Sequence, residues 1–510
     1  MKLTDLLEGI PCETTQPIDH LDIVNIAHIY ADITPGSLFI CLRGSRHDSH
    51  ALLPTLADAG VKAAVVEKGC YASLPENLPC VIVDDARLAF ALLWSAFCHH
   101  PQNSLSMIGI TGTNGKTSTA TMLYQIYREN GRRVALVSTV CSYLDGEVYH
   151  PAHDTGNRLA TMTTPDPDQL YPFLAEAKRR GIETVIMEVS SHALALKKVA
   201  PIHFSEALFT NLSSEHLDFH PSLEAYGAEK EKLFSLTSHA IVNRDDPFGQ
   251  ALSTRLPCPV TTCGIQSPCD AQAIPQEAEE DGILPYLYKM GDIRYLVKLK
   301  LPGVFSIYNS LMAATTAIHQ GIPPCSVFRA LEKITRIPGR MEAIHSDFDD
   351  IQVYIDYAHT ETALKQLLTA ARELIKPENH LILVFGCGGN RDAFKRAPMG
   401  RVAMDYADYA VITNDNPRDE EPTAIIKEIL KGHTDLTRRK VILDRRRAIT
   451  YAIETALSGD LILLAGKGHE TYELVKGELH PFDERTIAIE ALARRRLARE
   501  KRSEEIPHED

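Results

Sequence analysis

Gly109-Ile-Thr-Gly-Thr-Asn-Gly-Lys-Thr-Ser118 decides how this chain is read. The apolar run 105–110 leads into it, and the pattern beyond predicts a helix over 117–127. A Gly-rich turn between strand and helix aims backbone N–H groups at an anion, and the helix N-terminus adds partial positive charge. Lys116 is placed to reach outer phosphates, and the Thr117 hydroxyl to sit on a bound Mg²⁺. The usual loop has four residues between its first Gly and the Gly-Lys pair. That first position here is Ile110, with glycines at 109, 112 and 115, so this is a variant P-loop. A nucleoside triphosphate is the expected ligand; a Gly-rich surface turn is the alternative.

Composition bounds the rest. At 510 residues the chain exceeds one core and predicts about three domains. A net charge of −14 excludes a broad phosphate-neutralising surface, so no nucleic-acid partner is expected. No apolar run approaches the ~18 residues of a membrane span, and the N-terminus lacks a signal-peptide core. Eleven scattered cysteines without a Cys-x-x-Cys pair predict free, buried thiols in a reducing cytoplasm.

The apolar runs alternate with helical patterns. Runs 38–42, 63–66 and 80–83 predict a small α/β unit over 1–102. Runs 133–138, 184–189, 207–210 and 240–243 follow the P-loop in a second unit over 103–335. Runs 353–357, 381–385, 410–413 and 461–465 build a third over 336–497. This is an α/β chain, with parallel sheets and crossover helices expected in the last two units. The turn-rich stretch 257–285 reads as an insertion or loop excursion. The charged segment 498–510 reads as a tail, frayed from about residue 499.

Metal candidates lie in the second unit. Glu188, in Met187-Glu-Val-Ser-Ser-His192, ends a predicted strand at the ligand-facing sheet edge, where a carboxylate suits Mg²⁺. His216 and His220, four apart, could share a helix face and hold a transition metal. No third zinc-type ligand stands nearby, so zinc is disfavoured. Lys230 by itself reads as a surface helix lysine.

Gly112-Thr-Asn-Gly-Lys-Thr117, Thr163-Thr-Pro-Asp166, Met187-Glu-Val-Ser-Ser-His-Ala-Leu194, Gly339-Arg-Met-Glu342 and Asp356-Tyr-Ala-His359 together resemble the Mur ligases. Phe385-Gly-Cys-Gly-Gly-Asn-Arg-Asp392, Asp415-Asn-Pro-Arg418 and Gly466-Lys-Gly-His-Glu470 resemble the branch of that family that adds meso-diaminopimelate. The resemblance implies a UDP-substrate domain, a central P-loop domain and a Rossmann-like C-terminal amino-acid domain. It implies an ADP-forming acid–amino-acid ligase of peptidoglycan precursor synthesis, cytoplasmic, monomeric and not inserted in a membrane. The donor would be UDP-MurNAc-L-Ala-D-Glu, the acceptor meso-diaminopimelate, and the intermediate an acyl phosphate.

Residue roles follow by the same resemblance. Gly112, Thr113, Asn114, Gly115, Lys116, Thr117 and Ser118 would cradle ATP. Asn309 would meet the adenine, and Arg340 and Asp356 would close from the C-terminal side. Thr117 and Glu188 would hold one Mg²⁺. His216 and Lys230, the latter carbamylated, would serve a second. Tyr30, Thr163, Thr164, Ser191 and Lys198 would contact the UDP substrate. Arg391, Asp415, Asn416, Pro417, Arg418, Gly466 and Glu470 would form the acceptor pocket. Chemically, Arg418 can grip the distal carboxylate bidentately while Asp415, Asn416 and Glu470 meet its ammonium; as a plain motif, Asp-Asn-Pro is good turn chemistry.

Ile29-Tyr-Ala31 stands where the family has Asp-Ser-Arg. That departure admits a second reading, a paralogue with the same ATP and amino-acid chemistry on another carboxylate donor. A third is a nucleotide-binding scaffold without turnover. Lys116, Glu188, His216 and Lys230 together speak against the scaffold.

Overall fold

The computed structural model describes residues 1–44, 47–150, 162–277, 283–344 and 350–504. Three sheets carry the chain. The first joins Cys12–Thr14, Cys80–Val83, Ala63–Glu67, Ser37–Ile40 and Asn25–Ala27 in that spatial order; only its first pair is antiparallel.

The second sheet is built around the P-loop strand, Ser106–Thr111, which pairs in parallel with Thr184–Glu188 on one side and Glu206–Phe209 on the other. All three strands are buried on both faces, so they read as continuous apolar runs without alternation. Ala240–Asn243 and Val260–Gly264 extend the parallel sheet beyond Glu206–Phe209. The C-terminal ends of these strands, where the order of connections reverses about the P-loop strand, make the crevice such sheets use for ligands.

The stretch 257–285 is not a loop excursion. It supplies Val260–Gly264 and Ala271–Pro275 to the sheet, and the antiparallel strands Leu284–Met290 and Ile293–Leu299 complete that edge. Its turn residues hid strands whose buried faces carry Thr261, Thr262 and Cys263 in place of a run of aliphatic residues. Helix Val304–His319 then packs across this sheet beside the P-loop helix Lys116–Glu129.

The third sheet runs Glu342–Ile344, Gln352–Asp356, Leu461–Ala465, Leu381–Phe385, Tyr409–Ile412, Arg439–Val441, parallel except for the first pair. A separate hairpin, Tyr472–Val475 with Glu478–Pro481, stands beside it. The charged terminal segment is helical further than expected: the last helix, Glu484–Glu504, crosses position 498, and Arg495 pairs with Asp350 at 2.8 Å.

His216 and His220 do not share a helix. The segment between them is a turn in which His216 adopts φ +56°, and the next helix, Leu223–Glu231, begins only after Ser222 caps it by accepting from the Ala225 N–H. All eleven cysteines are free, though Cys12 and Cys325 are exposed where burial was expected. Among the described residues no helix is long and apolar enough to cross a membrane.

Candidate active site

The P-loop turn requires its glycines. Gly112 has φ +146°, and a Cβ there would lie 1.9 Å from the Thr210 hydroxyl; Gly115 has φ +85° with Asn309 Oδ1 where its Cβ would stand. Asn211 holds the loop open, its carbonyl accepting from the Thr113 N–H and its side chain from the Asn114 N–H. Lys116 Nζ donates to the carbonyls of Gly112 and Thr113 at 2.9 and 2.8 Å.

Thr117 and Glu188 meet at the sheet edge, the hydroxyl donating to Glu188 Oε2 at 3.1 Å. Thr139 donates to Glu188 through both its N–H and its hydroxyl, at 2.9 and 3.1 Å. Both groups are buried, and together they offer hard oxygen donors beside a phosphate cradle, which is the donor set Mg²⁺ takes.

Lys230 is no surface lysine. It is 1% exposed, its Nζ donates to the Gly112 carbonyl at 2.8 Å and stands 4.2 Å from the centre of the Tyr226 ring. Burial, with the Lys116 cation beside it, holds its pKa well below the usual lysine value. His216 lies nearby, driven down to about 3 by burial, and packs against His192, itself pushed down to about 4 by burial. Both imidazoles are therefore neutral lone-pair donors at neutral pH.

The C-terminal sheet faces this edge. The Arg340 guanidinium donates to the Thr117 hydroxyl at 2.9 Å, so it reaches the phosphate end of the cradle. The Asp356 carboxylate accepts from the backbone N–H groups of Met341 and Ala358 at 2.6 and 2.7 Å, which fixes the loop that carries Arg340. His359 pairs with Glu215 at 2.9 Å across the same gap. Burial alone would raise the Glu215 carboxyl, but His216, His359 and Lys116 hold it well below the usual range.

One cavity of about 550 Å³ runs from Gly115, Lys116 and Asn309 to Arg391, Asp415 and Glu470, a size usual for small-molecule sites. At its C-terminal end, Arg418 sits in a turn at φ +53°, and its backbone pairs with Leu474 and Lys476 of the hairpin. Its Nη1 donates to the Gly389 carbonyl at 2.9 Å. His216 and Arg418, both in left-handed backbone and both lining the cavity, are strained positions of the kind that gather at functional sites.

Asp415 and Glu470 flank the fully buried Lys467, which stands 3.7 and 3.9 Å from their oxygens and donates to Asn416 Oδ1 at 2.9 Å. Asp415 is held low: burial opposes this, and Lys467 and Arg445 outweigh it. Glu470 is pushed up by burial and by Asp415. Asn416 donates to Glu470 at 2.8 Å and accepts from Lys467 and the Leu474 N–H, so its amide is engaged in holding the site together.

Other expected residues stand apart. Pro417 is buried but does not line the cavity; it forms the turn that aims Arg418. Tyr30 is exposed in a short turn of the first sheet's unit, away from the cavity. Thr163 lines the cavity, whereas Thr164 donates to the Glu188 carbonyl, Ser191 pairs with His220, and Lys198 pairs with Asp166 at 2.8 Å. Sequence reading passed over Glu215, His192, His359 and Lys467. His192, His359 and Lys467 lay inside quoted motifs and Glu215 directly before His216, but nothing in spacing reveals that a charged residue is buried.

Fold and site define a P-loop nucleotide-binding enzyme whose phosphate cradle faces a separate C-terminal sheet. Residues 110–317 match the Mur ligase middle domain and residues 339–468 the Mur ligase glutamate ligase domain. The chain belongs to the Mur ligase family, whose members are ATP-dependent ligases. It is 38% identical over 96% of its length to a UDP-N-acetylmuramoyl-L-alanyl-D-glutamate–2,6-diaminopimelate ligase of Syntrophomonas wolfei, 99% of which is covered. It is also 38% identical over 97% of its length to the ligase of the same name from Caldanaerobacter subterraneus, again covering 99%. A solved structure of a ligase of that name superposes with a TM-score of 0.65 at 26% identity, covering 96% of this chain and 99% of that one.

Proposed function

We propose that this chain joins meso-diaminopimelate to the D-glutamate carboxylate of UDP-MurNAc-L-Ala-D-Glu, with ATP consumed, in the cytoplasmic synthesis of peptidoglycan precursors. The observation that carries the reading is the continuous cavity with a phosphate cradle at one end and Asp415, Glu470, Arg391 and Arg418 at the other. The near full-length relatives named above supply the donor, and they weigh against the paralogue reading.

A free carboxylate resists attack because its charge repels an amine and oxide leaves poorly. In the proposed reaction its oxygen takes the γ-phosphoryl group of ATP and ADP departs. The acceptor amine then attacks the acyl phosphate, and phosphate leaves with the C–O bond electrons. Lys116 would exchange its two carbonyl partners for phosphate oxygens, and Arg340 would approach from the opposite wall, so that charge is met by groups already in place. Asn309, packed against Gly115, borders the cradle on the nucleoside side.

Thr117 and Glu188 would hold one Mg²⁺, and His216 with Lys230 would serve a second. Mg²⁺ there supplies neutralisation of phosphate charge. Lys230 is suited to carbamylation because burial beside Lys116 favours its neutral amine, the form that captures CO₂.

The acceptor end distinguishes substrates. Diaminopimelate presents a distal ammonium and a distal carboxylate; Asp415 and Glu470 suit the first, Arg418 and Arg391 the second. Lysine lacks that carboxylate and would leave a poorly compensated cation. Leaving one member of a buried charged pair alone costs on the order of 2–5 kcal/mol, roughly 30- to several-thousand-fold. The test is kcat/KM for both amino acids with ADP release as readout. A strong preference for meso-diaminopimelate is expected; parity, or a preference for lysine, overturns the assignment.

A further inference from the structure

Away from the nucleotide cleft, at the opposite edge of the central sheet, three metal-type ligands converge. Glu206 begins strand Glu206–Phe209, His239 immediately precedes strand Ala240–Asn243, and His319 ends helix Val304–His319. The strands are parallel, so this edge lies a full strand length from Asn243, which lines the nucleotide cavity at their other end. One ligand atom from each of the three residues lies within 4.8 Å of the others.

The hydrogen-bonding pattern leaves an imidazole lone pair facing a carboxylate. The Thr261 hydroxyl faces both imidazoles, 3.2 Å from His239 Nε2 and 3.4 Å from His319 Nε2. A hydroxyl has one hydrogen and can donate to only one of them, so the other Nε2 must be the donor. A neutral imidazole that donates through Nε2 has a bare lone pair at Nδ1. Both Nδ1 atoms face the Glu206 carboxylate, at 2.8 Å for His239 and 3.7 Å for His319. With neutral rings, at least one Nδ1 lone pair therefore faces the carboxylate, an arrangement that a metal ion between them would satisfy.

We propose that Glu206, His239 and His319 bind a divalent transition metal, with Zn²⁺ as the matching ion. Two imidazole nitrogens and one carboxylate are a known zinc donor set, with metal–ligand distances of about 2.0–2.2 Å in a tetrahedron. His239 Nδ1 stands 2.8 Å from Glu206 Oε2 and His319 Nδ1 3.7 Å from Oε1, on either side of the roughly 3.4 Å edge of a tetrahedron with such bond lengths. The outer partners are also present. Thr261 engages the far nitrogen of each ring, and Gln320 donates to Glu206 Oε1 at 3.1 Å, the kind of support that orients metal ligands. His319 is partly exposed, which gives the ion a path and leaves room for water as a fourth ligand. Such an ion would pin the end of helix Val304–His319 to the two strands.

The experiment titrates the full-length protein with Zn²⁺ by calorimetry, with Mg²⁺ in excess to hold the oxygen donors of the cleft, and measures bound zinc by elemental analysis after gel filtration. One zinc equivalent is expected. His319→Ala should bind it at least about tenfold more weakly, since even loss of an outer partner costs 10–100-fold. His216→Ala, in the cleft, should retain it. Should Glu206→Gln fail to fold, His319→Ala at the helix end still decides the matter. Unchanged affinity in His319→Ala, or zinc binding that vanishes in His216→Ala, overturns the site. No zinc bound by the unsubstituted protein does the same.

Discussion

Lys230 shows how much a single side chain can conceal. An amine buried against the Gly112 carbonyl, with Lys116 beside it, costs the fold stability that only a function would retain. Lys230→Ala is expected to lose most ligase activity and to recover part of it when acetate or formate is added, since a free carboxylate can take the place of a carbamate. A fully active variant would remove that role. His216 and His192 give a pH dependence. Both titrate at 6.5 when unfolded, and burial lowers them to about 3 and about 4 in the fold. Below 6.5 the unfolded chain takes up protons that the folded chain refuses, so stability falls as pH drops from there toward 4. Tm measured between pH about 7 and about 5 should decline, less steeply in His192→Gln. A Tm that is flat or rises on acidification would refute the neutral pair.

Elements set where those residues stand. Helix Val304–His319 carries Asn309 to the P-loop and packs its Leu311 fully into the core shared with Ile126 and Val327. Leu311→Ala should cost about 2–5 kcal/mol, read as a lower Tm, because the surrounding sheet cannot collapse into the void. A Tm unchanged from the parent would mean that this helix is held some other way. The P-loop strand and helix were legible because their apolar run, glycines and Lys-Thr pair all agree. The strand Val260–Gly264 was not, because its Thr261 and Thr262 are buried only by virtue of neighbours far away in the chain. The same reason hid Lys467. A lysine between two glycines reads as solvent-facing until the third sheet folds around it.

At the scale of the molecule, His359 with Glu215 and Arg340 with Thr117 are polar contacts that tie the C-terminal sheet to the central one. Only the halves of these pairs are visible in the sequence, because the partners are 144 and 223 residues apart. Small-angle scattering on nucleotide-free His359→Ala should report a larger radius of gyration than the parent protein. Equal values would mean that this contact does not set the closure.

The anchoring of Lys116 bears on which anions this loop favours. Its side-chain nitrogen sits against the carbonyls of Gly112 and Thr113, so an anion must compete with two backbone dipoles for it. A single inorganic phosphate meets that competition alone, whereas a triphosphate also takes up the backbone N–H groups of the loop. Selection for the longer anion is thus a matter of chain conformation as well as of charge.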